Sequence, residues 1–142
     1  MIGKDEINRQ AKKQGLRFDQ IEKDHVILWI LRALSEPRLK PMGWVFKGGT
    51  CLRHCFYEGY RFSEDLDFSC DPAAAGNQEN TNLLMKVADW ISDQALLRLA
   101  AKEAHGSEGN LQLEIPREYS RGGPPSSYLR QTYLDSGTMP PC

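Results

Sequence analysis

The sequence predicts an α+β domain in which helices flank a small mixed sheet. Residues 18–35 and 80–104 repeat apolar side chains at intervals of three, four and seven, which is typical of amphipathic helices. Residues 65–69 and 111–115 alternate polar with apolar side chains, as strands with one buried face do. Both kinds of periodicity occur in one short chain, so helices and strands must share a core.

The length of the chain limits the number of domains. It has 142 residues and 40% hydrophobic content, which is enough for one core and too little for two ordinary domains. We expect a single domain over residues 1–135, with N-terminal helices in 1–40 and the core in 41–135. Residues 136–142 are expected to form an unpacked tail.

The N-terminal part predicts two helices. Residues 4–14 are polar, favour helix and are followed by Gly15, which suits a helix end. Residues 18–35 predict a longer helix, which Pro37 ends. Its buried face is expected to contain Ile21, Leu28, Leu31 and Leu34, with His25 among them.

A glycine turn is predicted between a strand and a helix. The β-prone run 44–46 leads into Gly48 and Gly49, and Thr50 is a residue that can cap a helix. The helix that follows is expected to bury Leu52, Cys55 and Phe56 on one side.

The second half of the chain predicts a strand, a helix and two further strands. Asp71-Pro72 stops the strand at 65–69. The helix at 80–104 should bury one face and end near His105. Residues expected on that face are Leu83, Leu84, Val87, Ile91, Leu96 and Leu99. Pro116 ends the strand at 111–115, and a third strand is predicted within 128–134.

Composition excludes several classes of protein. A net charge of −1 gives no global field for a polyanion, so any contact with nucleic acid must be local. No signal peptide or disulfide spacing is evident, which predicts a cytoplasmic protein with reduced thiols. The longest apolar run, around 26–31, is far shorter than the ~20 residues of a membrane span, so no membrane contact is expected.

Two aspartates carry the first chemical signal. On a strand, Asp65 and Asp67 leave the same face while Leu66 points into the core. Magnesium is usually bound by one or two carboxylates together with water and substrate phosphates, and such sites support phosphoryl transfer. Alone the pair is a weak signal, because two acids on a half-exposed strand are usually only solvated.

The glycine pair strengthens that signal. Glycines between a strand and a helix let backbone amides approach phosphate oxygens at a positive helix N-terminus. Thr50 either donates its hydroxyl to a phosphate or only caps the helix, and the two roles are compatible. Lys47, Arg53 and Arg61 offer positive charge near this turn, although each also fits an ordinary surface residue.

These segments together resemble a known family. Residues 46–50, FKGGT, and 61–68, RFSEDLDF, are similar to the first motif of the AbiEii/AbiGii-type toxin nucleotidyltransferases, which belong to the DNA polymerase β-like superfamily. Residues 21–25, the helix at 80–104 and the strand at 111–115 extend a looser likeness over most of the chain. The resemblance implies a polymerase β-like core and magnesium-dependent transfer of a nucleotide from a nucleoside triphosphate.

The resemblance also implies partners and site residues. The acceptor would be RNA, such as a tRNA-like molecule, or protein, and the chain would be the toxin of a type IV toxin–antitoxin or abortive-infection system with a cognate antitoxin. Asp65 and Asp67 would bind Mg²⁺ as catalytic residues. The expected nucleotide-binding residues are Lys47, Gly48, Gly49, Thr50, Arg61 and Ser63.

The sequence also departs from the family. Two later motifs, one with a catalytic lysine and one with a further aspartate, do not occur in these 142 residues. The alternative reading is therefore a truncated, catalytically silent remnant that acts as a nucleotide- or partner-binding module. Glu114 is a candidate third catalytic carboxylate, or else a solvent-facing strand residue, and Asp135 is a second candidate.

Other conspicuous residues are better explained by structure. Cys51, His54 and Cys55 have the spacing of metal ligands on a helix, but no second ligand pair accompanies them, so both cysteines are expected to be small buried side chains. The three tryptophans are expected to belong to the core, namely Trp29, Trp44 and Trp90.

Overall fold

The structure of the chain, a computed structural model, describes residues 3–70, 77–95, 100–103, 111–114 and 129–133. The predicted α+β class is confirmed, because this part of the chain combines helices with a small mixed sheet. In chain order the elements are α1 (Lys4–Gln14), α2 (Phe18–Ser35), β1 (Trp44–Lys47), α3 (Gly48–Cys51), a π-helical turn (Leu52–Phe56), β2 (Leu66–Cys70), α4 (Asn77–Ala95), β3 (Ala100–Glu103), β4 (Leu111–Glu114) and β5 (Leu129–Tyr133).

Both N-terminal helices have the predicted bounds. Gly15 ends α1 with a φ of 66°, a left-handed conformation that glycine adopts without steric cost, and its amide donates to the carbonyl of Ala11. The two helices pack together through a small apolar cluster of Ile7, Ala11 and Ile21. The short α1 is thereby fixed to the start of α2.

The buried face predicted for α2 is partly wrong. Leu28 is 45% exposed, whereas Ile27 and Ile30 are fully buried. The helix contains two overlapping apolar stripes at helical spacing, and packing against α4 and the sheet selects the stripe that contains Ile27. The other residues buried on this face are Val26, Ala33 and Leu34.

The main sheet is mixed, as predicted, with the strand order β1-β2-β5. Strand β1 is antiparallel to β2, and β5 is parallel to β2. Because β2 is the central strand, Ser69 is buried as well as Phe68 and Cys70, so the single buried face predicted for this strand is incomplete. Strands β3 and β4 form a separate antiparallel pair, with β4 beside β5.

The predicted helix at 80–104 is wrong at its C-terminal end. Helix α4 ends at Ala95, and Ala100–Glu103 form a strand that pairs with Leu111–Glu114. Ala, Lys and Glu favour helix, but pairing with β4 outweighs that local preference. Leu96, Leu99 and His105 lie outside the described residues.

Helices α2 and α4 and the strands β1 and β2 enclose the main core. Leu84, Val87 and Ile91 of α4 are fully buried, as the sequence predicts. The predicted core role of the tryptophans is confirmed, since each is partly buried and packs against this cluster: Trp29, Trp44 and Trp90. With its apolar residues held in this core, β2 is fixed in position, and with it the acidic residues at its start.

The remaining strand predictions agree with the structure where it is described. Strand β4 covers most of the predicted 111–115, and β5 lies within the predicted 128–134. The expected tail at 136–142 lies outside the described residues.

Candidate active site

The turn from β1 into α3 brings backbone and carboxylate together. Gly48 has a φ of 81°, in the left-handed region that favours glycine. A Cβ at Gly48 would lie 2.5 Å from Oδ2 of Asp67. Gly48 is therefore required twice, once by the backbone conformation and once by the approach of the Asp67 carboxylate.

Gly49 lies against the other half of the motif. Its φ is not positive, so the special conformation that the glycine turn requires belongs to Gly48. A Cβ at Gly49 would lie 3.0 Å from Oγ of Ser63 and 3.7 Å from Nη2 of Arg61. The structure thus brings two residues of the 61–68 segment onto the glycine turn, although they are far from it in the sequence.

Thr50 connects the turn to the start of β2. Thr50 is 1% exposed, and its Oγ1 donates to the carbonyl oxygen of Asp65 at a distance of 2.5 Å. The helix N-cap is Lys47, so the predicted capping role of Thr50 is wrong: Thr50 lies inside the helix and not before it. Its hydroxyl instead fixes the distance between α3 and the acidic segment.

The two aspartates lie on either side of a core residue, as predicted. Asp65 and Asp67 are half-buried, and Leu66 between them is fully buried. Strand β2 begins at Leu66 and not at Asp65, so only Asp67 is held by strand pairing, opposite Lys47 on β1. Asp65 is held through its carbonyl by Thr50.

This arrangement fits a magnesium ion. Carboxylate oxygens are the donors that Mg²⁺ prefers, and one or two of them suffice when water and phosphates complete the shell. Asp67 makes no ion pair with any residue whose side chain the structure describes. Among the described side chains there is no group of three or more metal-binding residues.

Among the side chains that the structure describes, two exposed residues bring positive charge near the turn. Arg61 lies beside Gly49, and Lys47 ends β1 in register with Asp67. Both side chains are exposed, and neither pairs with an acid in the described part of the chain. Arg53 differs, because it is 17% exposed and makes internal contacts with a carboxylate and a carbonyl.

The candidate third carboxylate belongs to a strand that does not pair with β2. Glu114 is the last residue of β4, opposite Ala100, and β5 lies beside both β4 and β2. The structure describes the backbone of Glu114 but not its side chain, and Asp135 lies outside the described residues. A catalytic role for Glu114 stays a prediction.

The helix after the turn corrects two predictions of burial. Cys51 is buried, and burial raises the pKa of its thiol. Cys55 is exposed and Phe56 is 69% exposed, contrary to expectation. The turn Leu52–Phe56 is π-helical, with the amide of Tyr57 donating to the carbonyl of Leu52, and the extra residue per turn rotates the last side chains away from the core.

Sequence reasoning missed a polar network behind the motif. Asp24 of α2 contacts His54 and Arg53, and Lys23 pairs with Glu64. The available signal was an acid and a lysine side by side on a largely apolar helix, within the segment 21–25 that loosely resembles the family.

The glycine turn, the helix start and the two aspartates lie together in an α+β core. Residues 29–132 match the family described as nucleotidyl transferase AbiEii toxin, type IV TA system. The match spans more than half of the chain, which therefore belongs to the AbiEii nucleotidyltransferase toxin family. No curated protein and no solved structure matches the chain significantly. No helix in the described residues is long and apolar enough to cross a membrane.

Proposed function

We propose that the chain binds a nucleoside triphosphate with Mg²⁺ at the glycine turn and transfers its nucleotide to an acceptor hydroxyl. The observation that carries this proposal is the contact of the Asp67 carboxylate with Gly48 at the start of α3. A metal-binding carboxylate and a set of phosphate-binding amides need this proximity, because oxygens of the substrate phosphates would also be ligands of the metal.

The phosphates would lie on the turn. Helix α3 continues without interruption into the π-helical turn, and the first amides of a helix have no partner within it. The amides of Gly48 and Gly49 are therefore suited to phosphate oxygens, with the positive end of the helix behind them. Arg61 adds a charge-assisted donor beside Gly49, and Ser63 adds a hydroxyl.

Asp65 and Asp67 would hold the magnesium ion. When bound, the ion would neutralise charge on the triphosphate and orient it. In the reaction, the acceptor oxygen forms a bond to the α-phosphorus, the hydroxyl proton passes to water, and the bond to the leaving pyrophosphate breaks. The chain's own contribution is positioning and electrostatic stabilisation, from the amides of the turn and the Arg61 guanidinium.

The biological setting follows from the family. We propose that the chain is the toxin of a type IV toxin–antitoxin system in the cytoplasm, with a cognate antitoxin and an RNA, for example tRNA-like, or a protein as acceptor. Membership of the AbiEii toxin family supports the toxin role. A transfer assay identifies which of these acceptors is used.

The test is transfer of label from α-labelled triphosphates to cellular RNA and protein. Magnesium-dependent label that disappears in Asp65→Asn/Asp67→Asn supports the proposal, and the labelled fraction identifies the acceptor class. These 142 residues lack the family's later lysine motif, so we expect transfer slower by ~10²–10³ than with that cation in place. Binding without any transfer would favour the nucleotide-binding module, and transfer unaffected by the double substitution would contradict the proposal.

A further inference from the structure

Arg53 directs both terminal nitrogens of its guanidinium at other residues of the chain. Nη1 donates to the carbonyl of Tyr60 at 3.1 Å, and Nη2 donates to Oε1 of Gln14 at 3.2 Å. The group also lies over the ring of Phe62, 5.6 Å from its centroid. Both Nη atoms of this side chain, which is 17% exposed, are thus directed at groups of the chain itself.

Asp24 holds Arg53 in this position. Its carboxylate is 15% exposed and lies 3.1 Å from Nε2 of His54 and 3.9 Å from Nε of Arg53. Both partners are on the π-helical turn, so one acid on α2 fixes the two basic residues that follow α3. The adjacent Lys23 pairs with Glu64, which directly precedes the acidic pair of the site.

The segment that these contacts hold has no secondary structure of its own. Residues 60–65 belong to neither helix nor strand, so no backbone ladder fixes them. This segment nevertheless places Ser63 and Arg61 against Gly49. Its contacts with Arg53 lie at Tyr60 and Phe62, on either side of Arg61.

We propose that Arg53, oriented by Asp24, is a positioning residue that holds Arg61 and Ser63 over the glycine turn. This inference rests on the proposed nucleotide site for its effect on binding. Arg53 acts on the nucleotide only through the segment it carries. Its charge is balanced by Asp24, whereas Arg61 remains exposed for the phosphates.

The first test is a double-mutant cycle on the affinity for a nucleoside triphosphate with Mg²⁺. We expect Arg53→Ala to weaken binding about tenfold in the native chain and by less than about twofold in an Arg61→Ala/Ser63→Ala background, since coupled residues are not additive. Equal fold losses in both backgrounds would show that Arg53 is merely structural and would overturn the proposal.

The second test needs no nucleotide. Chymotrypsin cleavage after Phe62, measured by mass spectrometry against cleavage after the exposed Phe56, reports how firmly the segment is held. Arg53→Ala and the milder Asp24→Asn should both accelerate cleavage after Phe62. Asp19→Asn is the matched control, because it removes an exposed ion pair with Arg17 from the same helix.

The two tests separate the two proposals. A wild-type chain that fails to bind triphosphate would refute the nucleotide site, and the cleavage ratio would still decide whether Arg53 positions the segment. An unchanged ratio in both variants would overturn the positioning role whatever the binding result.

Discussion

Oδ2 of Asp67 lies 2.5 Å from the place where a Cβ on Gly48 would be, so the carboxylate lies directly against the glycine backbone. Gly48→Ala should therefore displace the Asp67 side chain and also strain a φ of 81°. We expect a loss of stability of roughly 1–3 kcal/mol, measured by urea unfolding, together with weaker binding of magnesium and triphosphate.

Gly15→Ala is the matched control for that experiment. Gly15 also has a positive φ, of 66°, but nothing lies within 4 Å of an added Cβ. Its substitution should cost stability through backbone strain alone and leave nucleotide affinity unchanged. If both alanine variants bound triphosphate as the wild type does, the contact between Gly48 and Asp67 would have no role in binding.

Gly49→Val should weaken triphosphate binding more than a neighbouring surface change. The added side chain would press on Oγ of Ser63, 3.0 Å from the Cβ position, and push the segment that carries Arg61 away from the turn. Val45→Thr is a suitable comparison, because Val45 is 59% exposed on β1. Equal affinities of the Gly49 variant and the wild type would show that this glycine is only a structural connection.

The Thr50 hydroxyl should contribute to stability through Asp65. Thr50→Val keeps the shape of the side chain but removes the donor to the partly buried carbonyl of Asp65. The expected loss is about 0.5–1.5 kcal/mol, and Thr50→Ser should retain most of the hydrogen bond. Equal unfolding midpoints for Thr50→Val and the wild type would contradict this role, and a loss of affinity alone would indicate a direct phosphate contact.

His25 predicts a dependence of stability on pH. Burial lowers the pKa of His25 below its ordinary value of about 6.5, and its Nε2 accepts a hydrogen bond from Trp29, which requires the neutral ring. The unfolded chain therefore binds a proton at this position more readily than the folded chain does. Stability should fall as the pH drops through about 6.5 and level off below the folded pKa.

The measurement is the free energy of unfolding between about pH 7.5 and 5.5. His25→Gln keeps an acceptor for Trp29 but cannot titrate, so its curve should be flatter over this range. Parallel curves for the variant and the wild type would assign the pH dependence to other groups.

The sequence predicts the local elements of this fold better than its long-range contacts. The bounds of α2 follow from periodicity and from Pro37, because both are local signals. The strand at Ala100–Glu103 could not be predicted, since its residues favour helix and only pairing with β4 makes them extended. In the same way, α2 has two overlapping apolar stripes, and local periodicity does not distinguish which of them faces the core.

The site shows the same division. The sequence predicts Asp67 and the glycine pair as site residues, because each belongs to a short motif of neighbouring residues. The position of Ser63 against Gly49 depends on a segment without secondary structure and on Arg53, which no local pattern predicts. The sequence predicts a cap at Thr50 because no local pattern marks the start of the helix at Gly48.

The most direct test of the nucleotidyltransferase site is magnesium-dependent triphosphate binding by Asp65→Asn/Asp67→Asn, measured by calorimetric titration. The account predicts saturable binding by the wild type and none by the double variant. The variant should stay folded and be as stable as the wild type or more so, because removing neighbouring like charges relieves repulsion. A folded double variant with unchanged magnesium-dependent affinity would contradict the assignment of these two aspartates to the metal site.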